Sequence, residues 1–93
     1  MTTLRIEHAI HDYDVWRAAF DRFAGKRSAA GVQRYTIHRP DDDPQYLFLD
    51  LEFEGRDPAE AFASFLRERV WSDPAASPGL AGSPRTRILE LQP

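Results

Sequence analysis

The side chains best suited to proton chemistry near neutral pH are three histidines, His8, His11 and His38. An imidazole, with an ordinary pKa near 6.5, can accept a proton at pH 7, and a phenol can hydrogen-bond an oxygen that becomes negative. His8 alternates with Leu4, Ile6 and Ile10, which puts it on the apolar face of an extended segment, and Tyr35 falls on the apolar face of another. His8 and Tyr35 are therefore the candidate catalytic residues. A histidine on such a face fits an inert core position equally well. His11 follows at a corner and is expected to be exposed. His38 falls by alternation on the opposite face, as a surface or interface residue.

A second group carries no proton chemistry but could line a cleft. Trp16, Phe20, Phe23 and Arg27 recur at steps of three and four, as do Phe62, Phe65, Leu66, Arg69 and Val70, with Trp71 following. Each set is one stripe of a helix. The aromatic members, Trp16, Phe20, Phe23, Phe62, Phe65 and Trp71, are expected in the core and along any ligand-binding cleft beside it. Arg27 and Arg69 interrupt the stripes near helix ends, where an arginine snorkels or meets the helix C-terminus. The functional alternative is a clamp for an anionic ligand.

Other chemistries lack their residues. There is no cysteine, which removes disulfides, thiolate nucleophiles and thiolate metal sites. There is no phosphate-binding glycine loop, no His-x-x-x-His pair and no Gly-x-Ser-x-Gly elbow. Asp41, Asp42 and Asp43 are consecutive and lack the spaced ligands and glycine of a calcium loop, so a solvated turn is expected. Neither a metal nor a cofactor is expected.

The elements that must position these residues follow from periodicity. Residues 3 to 10 alternate as a strand, and Asp12 can cap a helix that carries the first stripe and stops at Gly31. Residues 32 to 39 and 45 to 54 alternate across a turn at Pro40-Asp-Asp-Asp-Pro44, which reads as a hairpin. Asp57-Pro58-Ala59-Glu60 has the residues of a capped helix start, with Pro at the first helical position. Residues 72 to 84 hold three Pro, two Gly, three Ser and three Ala and are expected to be mostly loop, with residues 85 to 91 as a last strand.

The order β-α-β-β-α-β predicts an α+β, ferredoxin-like fold: a four-stranded antiparallel sheet with two helices on one face. At 93 residues the chain is a single domain, and aromatic residues at 12% exclude a disordered chain. The second sheet face collects Arg5, Glu7, Arg34, Thr36, Tyr46, Phe48, Asp50 and Glu52. Alternating charge signs around two aromatics fit a self-complementary surface, so a homodimer through this face is expected. The net charge is -3, with basic residues scattered, so nucleic acid is not an expected partner. Neither a secretory leader nor a run of some 20 apolar residues is present, which predicts a cytoplasmic protein with no membrane association.

The pattern Asp12-Tyr13-Asp14-x-Trp16-Arg17-x-x-Phe20-Asp21, then Gly31-Val32-x-x-Tyr35, an Asp-rich turn, Leu51-Glu52-Phe53 and Ala61-Phe62 carries a resemblance. Over residues 3 to 91 the chain resembles small bacterial proteins of the dimeric α+β barrel superfamily, among them antibiotic biosynthesis monooxygenase-like and polyketide cyclase-like members. The resemblance implies two sheets pairing into a barrel and a cleft between helices and sheet in each subunit. It implies a cofactor-independent monooxygenase-like or cyclase-like enzyme acting on a small aromatic or polyketide-like molecule. The oxygenase and haem-degrading members typically use an Asn with a Trp. This chain has no Asn, so Trp16 and Trp71 match only the aromatic part. The cyclase-like members offer His and Tyr near a pocket, as His8 and Tyr35 would. A non-catalytic dimeric module that binds a small ligand or merely assembles is the alternative.

Overall fold

The computed structural model describes residues 1–93. Strand β1 (Thr2–Ile10) buries every second side chain, Thr2, Leu4, Ile6, His8 and Ile10, against the helices. Strand β3 (Tyr46–Phe53) does the same with Leu47, Leu49, Leu51 and Phe53. The two pair antiparallel, with Leu4 opposite Leu51 and Ile6 opposite Leu49, so their apolar faces coincide. Strands β2 (Arg34–His38) and β4 (Leu80–Glu90) flank them in the antiparallel order β2-β3-β1-β4. Both helical layers lie on one face, where Trp16, Phe20, Ala59 and Phe62 close the core over the strands. The ferredoxin-like arrangement expected from the sequence is the one observed.

Helix α1 (Tyr13–Arg22) opens on Asp12, whose Oδ1 accepts the Val15 N–H at 3.1 Å. The expected helix does not run unbroken to Gly31. It breaks at Phe23 and resumes as α2 (Ala24–Ala29). The Phe20 carbonyl accepts the Phe23 N–H and an N–H from the Arg27 side chain, so the next amide is not recruited to it. Gly25, a poor helix former, sits just beyond the break. Gly31 ends α2 at φ 95°, a conformation a Cβ would disfavour.

Helix α3 (Arg56–Phe65) starts two residues before the expected first helical position, Pro58. Gly55 is its N-cap and no side chain caps it. Glu60 instead takes the Arg56 Nε at 2.7 Å, an i,i+4 pair in place of a capping box. The helix then widens into a π turn over Leu66–Val70, where the Trp71 N–H reaches back five residues to the Leu66 carbonyl at 2.7 Å.

The last strand begins five residues earlier than its sequence suggests. Leu80 and Ala81 pair with Ile10 and Ala9, the register then shifts, and pairing resumes at Arg85 opposite Glu7. Gly82, at φ 70°, and Pro84 sit in this bulge on an edge strand. A bulge there tolerates both, which is why loop-like residues occupy a strand.

The outer sheet face carries paired charges, with Arg5 bidentate on Asp50 at 2.8 and 2.9 Å and Arg34 on Glu52 at 2.9 Å. Tyr46 donates its hydroxyl to Glu7 at 2.7 Å and packs edge-on against Phe48. Arg85 and Arg87 form no ion pair, and Arg87 stands directly across from Arg5. No helix of the structure is long and apolar enough to cross a membrane.

Candidate functional site

A cavity of about 70 Å³ lies between the helical layer and the sheet. Its floor is Ile6, Leu49 and Leu51, the centre of the apolar face. Trp16, Phe20 and Phe23 project from one side, Phe62 and Phe65 from the other, and Trp71 arrives after the π turn. A π turn displaces side chains by one position relative to an α-helix, and here Leu66, Val70 and Trp71 all reach the wall. Ala76, Ser77, Pro78 and Leu80 complete it as a cover.

Six of the expected lining aromatics, Trp16, Phe20, Phe23, Phe62, Phe65 and Trp71, are thus brought together, along with Arg27. Arg69 is exposed on the π turn and is not part of the wall. The cover residues fall in the 72–84 segment, whose composition suggests a plain connector rather than a lid. Gly79 was their only signal, through its close approach to the Trp16 backbone and the His11 N–H bond to its carbonyl at 2.7 Å. That bond is the only backbone hydrogen bond tying residues 72–79 to a distant part of the chain.

His8 and Tyr35 do not meet. Tyr35 is aligned through Leu51 with Leu4, whereas His8 lies four residues further along β1 and two strands away. Sheet spacings put their Cα atoms on the order of 15 Å apart. They end a row of rings in which His8 leans on Trp16 at 6.1 Å, Trp16 stacks on Phe20 at 5.1 Å, and Phe20 meets Tyr35 edge-on at 4.9 Å. The cavity opens beside the middle of that row, and neither His8 nor Tyr35 lines it. The expectation that one cleft holds both is corrected accordingly.

Each end of the row has its own setting. The Tyr35 hydroxyl accepts from Arg17 at 3.3 Å on the partly exposed side of α1. His8 is 3% exposed and its Nδ1 is 2.8 Å from the Ala9 carbonyl. A carbonyl only accepts, so Nδ1 carries the proton and Nε2 keeps its lone pair. Nε2 has no protein partner, yet no buried side-chain nitrogen without one is sealed from solvent, so it stays within reach of water. Burial lowers the His8 pKa, partly offset by the Ala9 contact, and keeps the imidazole neutral at pH 7. His8 also faces the β4 bulge, where it has no strand partner. His11 and His38 are exposed, and Asp41 to Asp43 lie exposed in the turn.

Arg27 is the one charged side chain on the wall, 7% exposed. Its guanidinium carbon stands 3.6 Å over the Phe20 ring and 5.4 Å from Tyr35. No carboxylate pairs with it. Burial, reinforced by Arg17, lowers its pKa, while Tyr35 and Asp21 oppose that.

No family model and no curated protein sequence matches the chain. Solved structures do. A candidate antibiotic biosynthesis monooxygenase from Bordetella bronchiseptica superposes with a TM-score of 0.72 at 16% identity, over 98% of this chain and 97% of that one. A second antibiotic biosynthesis monooxygenase gives 0.67 at 12% identity over the full length of both chains. A dimeric ferredoxin-like protein from an uncultured marine organism gives 0.58 at 13% identity, over 98% and 95%. At such identities the likeness is one of architecture, and the chain has the ferredoxin-like fold that the antibiotic biosynthesis monooxygenase-like structures share.

Proposed function

We propose that the protein binds a small, largely apolar molecule in the cavity between helices and sheet, and that it does so as a homodimer. One observation carries the binding reading: 14 of the 17 lining residues are hydrophobic, Arg27 is the one charged and Ser77 the one hydroxyl side chain, and no His, Asp, Glu, Lys or Tyr is among them. Such a surface favours a ligand by burial and stacking rather than by chemistry. The cavity, at about 70 Å³, is smaller than the ~150 Å³ that holds a benzene. Entry of an aromatic ring therefore requires the cover at 76–79 to give way, and its single long-range backbone tie, at the Gly79 carbonyl, permits that. Toluene is expected to raise Tm and quench tryptophan fluorescence, because Trp16 and Trp71 both line the cavity. Ala19→Leu, which adds three carbons to the cavity wall, is expected to abolish both effects. Persistence of both effects in that variant would sink the reading.

The dimer reading rests on the outer face. Arg5 and Arg87 oppose each other across β1 and β4, and like charges so placed repel. A twofold-related copy can bring its own carboxylates to them, and Tyr46 and Phe48 supply the apolar centre such an interface needs. One neighbouring structure is described as dimeric, which supports a homodimer.

A second reading, a cofactor-independent monooxygenase-like or cyclase-like enzyme on a small aromatic or polyketide-like substrate, is favoured by His8. A neutral imidazole with a free, solvent-reachable Nε2 is a competent base. Dioxygen uptake or cyclisation with a polyphenol that is lost in His8→Gln, with the fold retained, is the outcome this reading requires.

A further inference from the structure

Among the charged and hydroxyl side chains of the cavity wall, one has donors to spare. Ser77 uses its hydroxyl on the Asp73 carbonyl at 2.9 Å. Arg27 has five N–H donors in a planar fork, and the protein takes one, at the Phe20 carbonyl. That bond and the Phe20 ring hold the guanidinium in place and account for its position in the fold. They do not account for the remaining donors. None of these donors is sealed away without a partner, so they reach water or the cavity. The cation is 7% exposed and has no carboxylate within ion-pair distance. A buried charge is costly unless paired, and the rest of the wall offers no carboxylate to pair it.

We propose that the cavity takes an aromatic carboxylate, its ring among the lining aromatics and its two oxygens on the Arg27 fork. The inference rests on the binding reading above and adds the ligand's chemical class. Two parallel N–H···O bonds match the guanidinium plane to the carboxylate plane, a geometry that a neutral amide or a hydrocarbon cannot supply. The ring stacked beneath the guanidinium leaves its edge, where the donors project, free to meet the anion.

Benzoate, benzamide and toluene, followed by tryptophan fluorescence and Tm, separate the two levels of the argument. The wild-type chain is expected to bind benzoate on the order of tenfold or more tighter than benzamide. Arg27→Gln is expected to erase that gap while still binding toluene, and Arg22→Gln, an exposed charge removed nearby, to keep it. If Arg27→Gln does not fold, Arg27→Lys keeps the charge without the fork, and the gap is expected to shrink several-fold. Equal binding of benzoate and benzamide by the wild type, or a gap unchanged in the Arg27 variants, overturns the inference and leaves the cavity reading standing. Binding of none of the three removes the cavity reading and the inference with it.

Discussion

Burial leaves His8 with a pKa below its ordinary value, and this has a consequence for stability whatever the residue does in function. The unfolded chain takes up a proton there near pH 6.5, while the folded chain resists it until lower pH. Between those values the unfolded state binds more protons, so stability rises with pH. The contribution is fully present above about pH 6.5 and is lost as pH falls below it, with a slope of at most about 1.4 kcal/mol per pH unit. Thermal unfolding is expected to show Tm falling between pH 7 and 5.5, a step that His8→Gln flattens. An equally steep fall in that variant would assign the effect to other groups. Arg27 is the counterpart among cations. Its burial also works against its charge, but a guanidinium does not lose its proton, so it must find a partner instead.

Two glycines in and beside the last connection show how an element is held. Gly79 and Gly82 both have positive φ, 84° and 70°. At Gly79 an added Cβ would sit 2.9 Å from the Trp16 nitrogen and 3.2 Å from the Asp12 carbonyl oxygen, both backbone atoms that cannot swing away. At Gly82 nothing lies within 4 Å. Gly82→Ala is expected to cost about 1–2 kcal/mol, the left-handed penalty alone. Gly79→Ala adds the clash and is expected to cost more, roughly 3 kcal/mol, because the cover must leave the start of α1. Denaturant unfolding ranks the two. Hydrogen exchange at the His11 amide, which bonds the Gly79 carbonyl, is expected to quicken only in Gly79→Ala, and equal protection in both would contradict the pinning role.

For the whole molecule, the outer face is where the proposed dimer is tested. Phe48 stands half-buried among charges near the middle of the sheet, against Tyr46. Phe48→Asp places a desolvated carboxylate at the centre of a twofold interface and is expected to turn the dimer into a 10.7 kDa monomer at micromolar concentration, with far-UV circular dichroism unchanged. Sedimentation velocity reads this directly. A wild-type chain that already sediments at the monomer mass would remove the dimer from the account.

Much of this was legible in order and alternation. Leu4, Ile6 and His8 against Leu47, Leu49 and Leu51 fixed which sheet face the helices cover, and the Trp16 and Phe62 stripes fixed which helix faces meet it, because periods of two and 3.6 admit no other burial. The aromatic lining followed from the same stripes. The rest depended on contacts between residues distant in sequence. Register set His8 and Tyr35 at opposite ends of one row of rings, which alternation within each strand could not reveal. Arg27 kept its place on the first stripe across the break at Phe23, and the π turn set Trp71 on the wall while Arg69 faced out. Loop-like residues became the cover and a bulged strand because pairing with β1 and the Trp16 backbone accepted them there. The sequence by itself determined the layers, since burial of alternating apolar side chains is a local pattern. Only the tertiary structure decided which polar groups share a space, since that depends on register and on where helices break.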